Sequence, residues 1–139
     1  MKKTIIALVP MTLFFTLLFS QEGSSWKMAG TKISTPWAAS VKPESVHQEY
    51  PRPQLVRGNW MNLNGLWNYT ILPSSSETIP AAYAGKILVP FAVESALSGV
   101  GSRVGKDSLL WYQRELVIPS AMRKNRLMLH FGAVCFALA

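Results

Sequence analysis

The sequence predicts an all-β domain, an antiparallel sandwich, and three observations carry that expectation. Short segments with apolar residues at alternate positions recur along the second half of the chain, as side chains alternate across a pleated strand. Links rich in proline, glycine and serine separate them. Beyond the first twenty residues no helix-length window repeats its apolar residues every three to four positions.

In chain order, Met1, Lys2 and Lys3 precede an apolar run from Ile5 to Phe19. A basic start followed by a short apolar stretch is the pattern of a secretory signal peptide. Residues 1–20 are therefore expected to be a leader, cleaved near Ser20, and the product to be periplasmic or secreted. The run is shorter than a membrane span and contains Pro10, so no stable span is expected after cleavage. Residues 21–58 hold few strand signals. Pro36, Pro43, Pro51 and Pro53 punctuate them, and "YPRPQLVR" reads as extended chain. This segment is expected to be an arm laid over the domain, with Trp26 and Trp37 docked on the sheet or on a neighbouring domain.

The domain itself is expected over residues 59–139. In "LNGLWNYTIL", Asn64-Gly65 is a turn signal. Trp67, Tyr69 and Ile71 then alternate with Asn68 and Thr70, giving a half-buried strand. "KILVP" is a short apolar strand stopped by Pro90. "FAVESALSGVGSRVGKDS" is a long connection. In "LLWYQRELVIP", Leu110, Tyr112, Leu116 and Ile118 share one face. Trp111, Gln113, Glu115 and Val117 share the other. Arg114 falls on the face of Tyr112, so its charge must reach a partner or the sheet edge. "PSAMRKN" is a polar loop or one helical turn, and "RLMLHFGAV" is a fourth strand. Trp67 and Trp111 are expected in the core. The apolar tail "GAVCFALA" lacks a turn signal or a charge. It is expected to be the beginning of further sandwich.

Charge and composition exclude several classes. The formal net charge is +7, and a leader would take two of those charges with it. The basic residues are scattered apart from Arg123, Lys124 and Arg126, which argues against a nucleic-acid face. Cys135 is the sole cysteine, so no internal disulfide forms. His47, His130 and Cys135 lack paired metal-ligand spacing, with His47 expected to be exposed and His130 to lie on a sheet face. No cofactor is expected. "GVGSRVGKDS" lacks the first glycine and the hydroxyl of a phosphate loop. No nucleophile elbow is present. Glycoside hydrolysis needs two carboxylates. The sequence does not bring Glu94 and Glu115 together, and no catalytic residue is assigned. "NYT" at Asn68 fits a glycosylation pattern, though it sits inside a strand.

Four blocks, "EYPRPQLVR" with "NWMNLNGLWNY", "GKILVPFAVESALSGVG", "LLWYQRELVIP" and "LHFGAV", resemble in order and spacing the N-terminal domain of glycoside hydrolase family 2. That family includes β-galactosidases, β-glucuronidases and β-mannosidases, and the likeness runs from Trp26 to Val134. It implies a jelly-roll, galactose-binding-domain-like sandwich, often called the sugar-binding domain. In the family this domain precedes immunoglobulin-like and TIM-barrel domains, and the barrel carries both catalytic glutamates. No position here matches those glutamates. The resemblance therefore implies carbohydrate as the partner, no catalytic role for this chain, and a loop after "KILVP" that reaches the edge of a sugar pocket. Glu94, Ser95, Ser98 and Arg103 are the substrate-contact candidates there. Family members continue "HFGAVDW", whereas this chain reads Cys135 and "CFALA". The expectation that follows is a sandwich incomplete at its C-terminus, the opening portion of a longer protein, with an unpaired sheet edge, an exposed apolar face, and poor solubility or dependence on a partner fragment. A stand-alone carbohydrate-binding module is the alternative, and a basic nucleic-acid-binding domain is a third, weaker reading.

Overall fold

The computed structural model describes residues 26–30, 33–76, 78–124 and 126–132. The expected leader and Cys135 lie outside them. Among the described residues the architecture is an antiparallel β-sheet of three strands, with two short 3-10 helices before the first strand and one between the second and third. The strands are β1 (Gly65–Pro73), β2 (Gly85–Val89) and β3 (Ser108–Gln113), in the spatial order β2-β1-β3.

β1 is central because both neighbours find their pairing partners along it. β2 covers its first half, with Gly65 opposite Val89 and Tyr69 opposite Gly85. β3 covers its second half, with Asn68 opposite Gln113 and Pro73 opposite Ser108. Asn64-Gly65 does open the first strand. Gly65 sits at φ +120°, a region side chains disfavour, and a Cβ there would lie 3.3 Å from the Pro43 carbonyl. The arm therefore crosses the sheet where only a glycine fits.

This register sorts the side chains. One face carries Ile87, Trp67, Tyr69, Tyr112, Ile71 and Leu110. The other carries Leu66, Leu88, Asn68, Lys86, Gln113, Thr70 and Trp111. Adjacent Ile87 and Leu88 point to opposite faces and both are fully buried. The chain thus packs material on both sides of β2, and Val93 and Ala96 just beyond the strand join the buried set. Asn68 ties the second face together: it accepts from Lys86 Nζ at 2.6 Å and donates to Gln113 Oε1 at 2.9 Å.

Three sequence expectations need correction. The third strand stops at Gln113 instead of running on toward Ile118. Past Gln113 the register would set Arg114 and Glu115 opposite Trp67 and Leu66, inside β1. Arg114 Nη1 instead donates to the carbonyls of Leu63 and Asn64, and its guanidinium lies 5.9 Å from the Trp67 ring centre. The charge expected to need a partner finds two carbonyls, and the side chain takes the place of the ladder. Residues 126–132 form no strand, so His130 is not a sheet-face residue. Leu127, Met128 and His130 line a cleft beside Trp60 instead of pairing with a sheet edge. "YPRPQLVR" is not wholly extended, because Pro53–Leu55 closes a 3-10 turn with proline preset in its first position. The segment "PSAMRKN" does make a turn, with Met122 and Arg123 amides donating to Pro119 and Ser120.

Candidate functional site

The connection after β2 is an organised loop. A 3-10 turn, Ala96–Ser98, is capped by Ser95, whose Oγ accepts from the Ser98 amide at 3.2 Å. Ser98 is wholly buried. Its hydroxyl reaches the Ser95 carbonyl at 2.8 Å and the Val93 carbonyl at 3.1 Å, and it accepts from the amides of Val100 and Gly101. One hydroxyl therefore organises a full reversal of the chain. The turn ends at Gly99, φ +82°, and the indole of Trp26 lies directly over that glycine with Nε1 donating to the Ser98 carbonyl at 3.3 Å. Trp26 is docked, as expected of the arm, but on this loop. Trp37 is 75% exposed.

The four sequence-derived contact candidates thus divide. Ser98 and Ser95 hold the loop's shape from within. Glu94 and Arg103 stand exposed on it. Glu94 is also brought to the sheet. The Tyr112 phenol titrates above its ordinary range, first because burial disfavours phenolate and then because the Glu94 carboxylate repels it. The loop's carboxylate therefore lies within electrostatic reach of the Tyr112 hydroxyl.

Tyr112 belongs to an aromatic strip. It pairs directly across from Tyr69. Its ring meets Trp67 edge-on, with centroids 6.4 Å apart and an interplanar angle of 85°. Trp67 is fixed from below: its Nε1 donates to the Leu63 carbonyl at 2.8 Å, and Arg114 sits over the ring. Trp67 is half-buried, and Tyr112 is 42% exposed. The strip presents ring edges and faces beside hydroxyl and carboxylate oxygens, an arrangement suited to a flat, hydroxyl-rich molecule. Sequence reasoning placed Trp67 and Trp111 in the core and set Tyr69 and Tyr112 on strand faces without assigning either to a site. Trp111 is half-buried on the opposite face. The available signal was the tyrosine at alternate positions in two strands, but only the register sets Tyr69 against Tyr112.

Beside the same start of β1 lies an open cleft of about 370 Å³ lined by Glu44, Gln48, Asn62, Asn64 and Arg114. Much of its polarity is already engaged. The amides of Asn62 and Asn64 both donate to the His47 carbonyl, at 2.7 and 2.9 Å, and Gln48 donates to Val46. These bonds hold His47, an exposed residue with φ +43°, in the left-handed region. The cleft thus clamps the arm to the sheet. Among the described residues no cluster of three potential metal ligands exists, and no helix is long and apolar enough to cross a membrane.

No protein-family model matches this chain, and no curated protein matches it.

Proposed function

We propose that this chain is a carbohydrate-binding β domain, the N-terminal sugar-binding domain of an exported enzyme resembling family 2 glycoside hydrolases, and that it is not itself catalytic. The observation that carries the reading is the strip of Trp67, Tyr69 and Tyr112 with Glu94 beside it. Aromatic faces stack on the apolar faces of pyranose rings, and a carboxylate and phenol at the rim accept and donate to the ring hydroxyls. The jelly-roll topology and the immunoglobulin-like and barrel partners belong to this proposal. An antiparallel sheet with material packed on both faces of β2 is consistent with one layer of such a sandwich. The product is an exported protein in this reading, and its parent acts on β-linked sugars by the retaining route.

A second reading, a self-sufficient carbohydrate-binding module, is favoured by the exposure of Tyr112 in the chain alone. Calorimetric titration with β-galactosides, β-glucuronides and β-mannosides distinguishes the two. Saturable heat from the chain alone supports the module. Binding that appears only when barrel domains are supplied in trans supports the domain of a larger enzyme. Silence in both settings sinks the carbohydrate reading. Release of sugar from a chromogenic glycoside by the purified chain would overturn its non-catalytic assignment.

A further inference from the structure

A second cleft, sharing no lining residue with the aromatic strip, is built differently. It holds about 140 Å³ and is walled by Arg57, Asn59 and Trp60 from the approach to β1 and by Arg126, Met128 and His130 from the far end of the described chain. Trp60 is its fixed element. The Tyr50 ring meets it edge-on at 4.9 Å, and His130 lies tilted against it at 6.1 Å. The indole Nε1 is buried without an acceptor among the described residues, so Trp60 offers the cleft ring carbon instead of a donor. Arg57 and Arg126 are both exposed side chains, and among the described residues no carboxylate pairs with either. Two guanidinium groups beside one aromatic face, with an amide from Asn59, form a receptor for a ring that carries a negative charge. Guanidinium binds planar oxyanions through paired, charge-assisted hydrogen bonds. A cavity of this size takes one six-membered ring.

We infer that the Trp60 cleft is a separate subsite for an anionic pyranose, its ring against the indole and its carboxylate or sulfate ester between Arg57 and Arg126. The choice of a sugar ring rests on the carbohydrate reading above; the demand for an anion rests on the two arginines alone. A nucleic-acid strand is the competing occupant of a basic surface, but it calls for charge spread along a groove, and here the charge converges on one small cleft.

The test is titration of the full chain, by calorimetry at low and moderate salt, with methyl β-glucuronide, glucose 6-sulfate, uncharged methyl β-glucoside and a short single-stranded oligonucleotide. Either anionic sugar is expected to bind about tenfold tighter than the glucoside, with the advantage shrinking as salt rises. The carboxylate and sulfate arms say which charge the cleft prefers. Arg57→Gln with Arg126→Gln should abolish the advantage while leaving glucoside binding intact. Tyr112→Ala should do the reverse. Should the double variant fail to fold, protection of the native chain from arginine-directed phenylglyoxal by the glucuronide, and not by the glucoside, is the second readout. Equal binding of charged and uncharged sugars overturns the subsite and leaves the carbohydrate reading standing. Loss of all sugar binding overturns both. Oligonucleotide binding that displaces the glucuronide and falls steeply with salt assigns the cleft to nucleic acid and overturns the proposal.

Discussion

Replacing Gly99 by alanine tests whether the arm is truly fastened to the loop. Two costs follow from the geometry. A residue other than glycine at φ +82° is strained by about 1–2 kcal/mol. The new methyl would also sit 2.6 Å from Trp26 Nε1 and 2.7 Å from its Cδ1, well inside contact distance. The indole must leave, since the loop backbone beneath it is held by Ser98. Its departure gives up a half-buried aromatic contact worth about 1–2 kcal/mol and a hydrogen bond worth about 1 kcal/mol. The summed loss is about 3–5 kcal/mol. In a Trp26→Ala background only the backbone strain remains, about 1–2 kcal/mol. Urea denaturation followed by circular dichroism on the four chains of this cycle gives the coupling directly. A Gly99→Ala cost that is the same in both backgrounds would show that Trp26 is not seated on the glycine and does not fasten the arm there.

Ser98→Ala should lower stability by about 2–3 kcal/mol, because the Val100 amide loses its acceptor inside the protein; a thermal-melt change equivalent to under about 0.5 kcal/mol would contradict the hub role. Arg114→Lys should cost about 1–2 kcal/mol and speed amide exchange at the start of β1, since an ammonium lacks the planar group that lies over Trp67 while its Nη1 holds the Leu63 and Asn64 carbonyls; unchanged exchange at Leu66 would count against it. Tyr112 gives a pH dependence. Its folded pKa is raised, so its contribution is complete below the unfolded value of about 10 and is lost as pH rises through the folded value. Ultraviolet titration of Tyr112→Phe identifies the Tyr112 phenolate by difference, and that phenolate should titrate lower in Glu94→Gln; a Glu94→Gln curve identical to that of the native chain would exclude the influence of Glu94. Trp37→Ala should leave the melting temperature within the spread of surface substitutions, as befits its exposure.

The strand segments most legible in the sequence were those whose apolar periodicity coincided with a turn signal. Asn64-Gly65 marked the start of β1 and Pro90 the end of β2. The fate of Arg114 was also legible, because a cation on a strand face has few options. What the sequence could not carry was pairing. Leu127, Leu129 and Phe131 alternate as well as any strand, yet alternation describes only the residues' own faces, and a strand also needs an edge to bond to. At the other end of the argument, Ser98 looked like a hydroxyl for a ligand because a serine in a loop offers the same group to a sugar and to its own backbone. Burial decides between them, and burial is a property of the folded loop. The tyrosine strip stayed hidden for the same reason: Tyr69 and Tyr112 become neighbours only through the register.

The crosspiece of Lys86, Asn68 and Gln113 limits how a second layer of the proposed sandwich could be laid on this sheet. A layer laid flat across that side of the sheet would have to dehydrate an ammonium whose partner among the described residues is an amide oxygen, and such burial is strongly disfavoured. A second layer of the proposed sandwich would therefore have to leave the Lys86 ammonium in water. Lys86, exposed on the sheet, would then stay reachable by amine-reactive reagents.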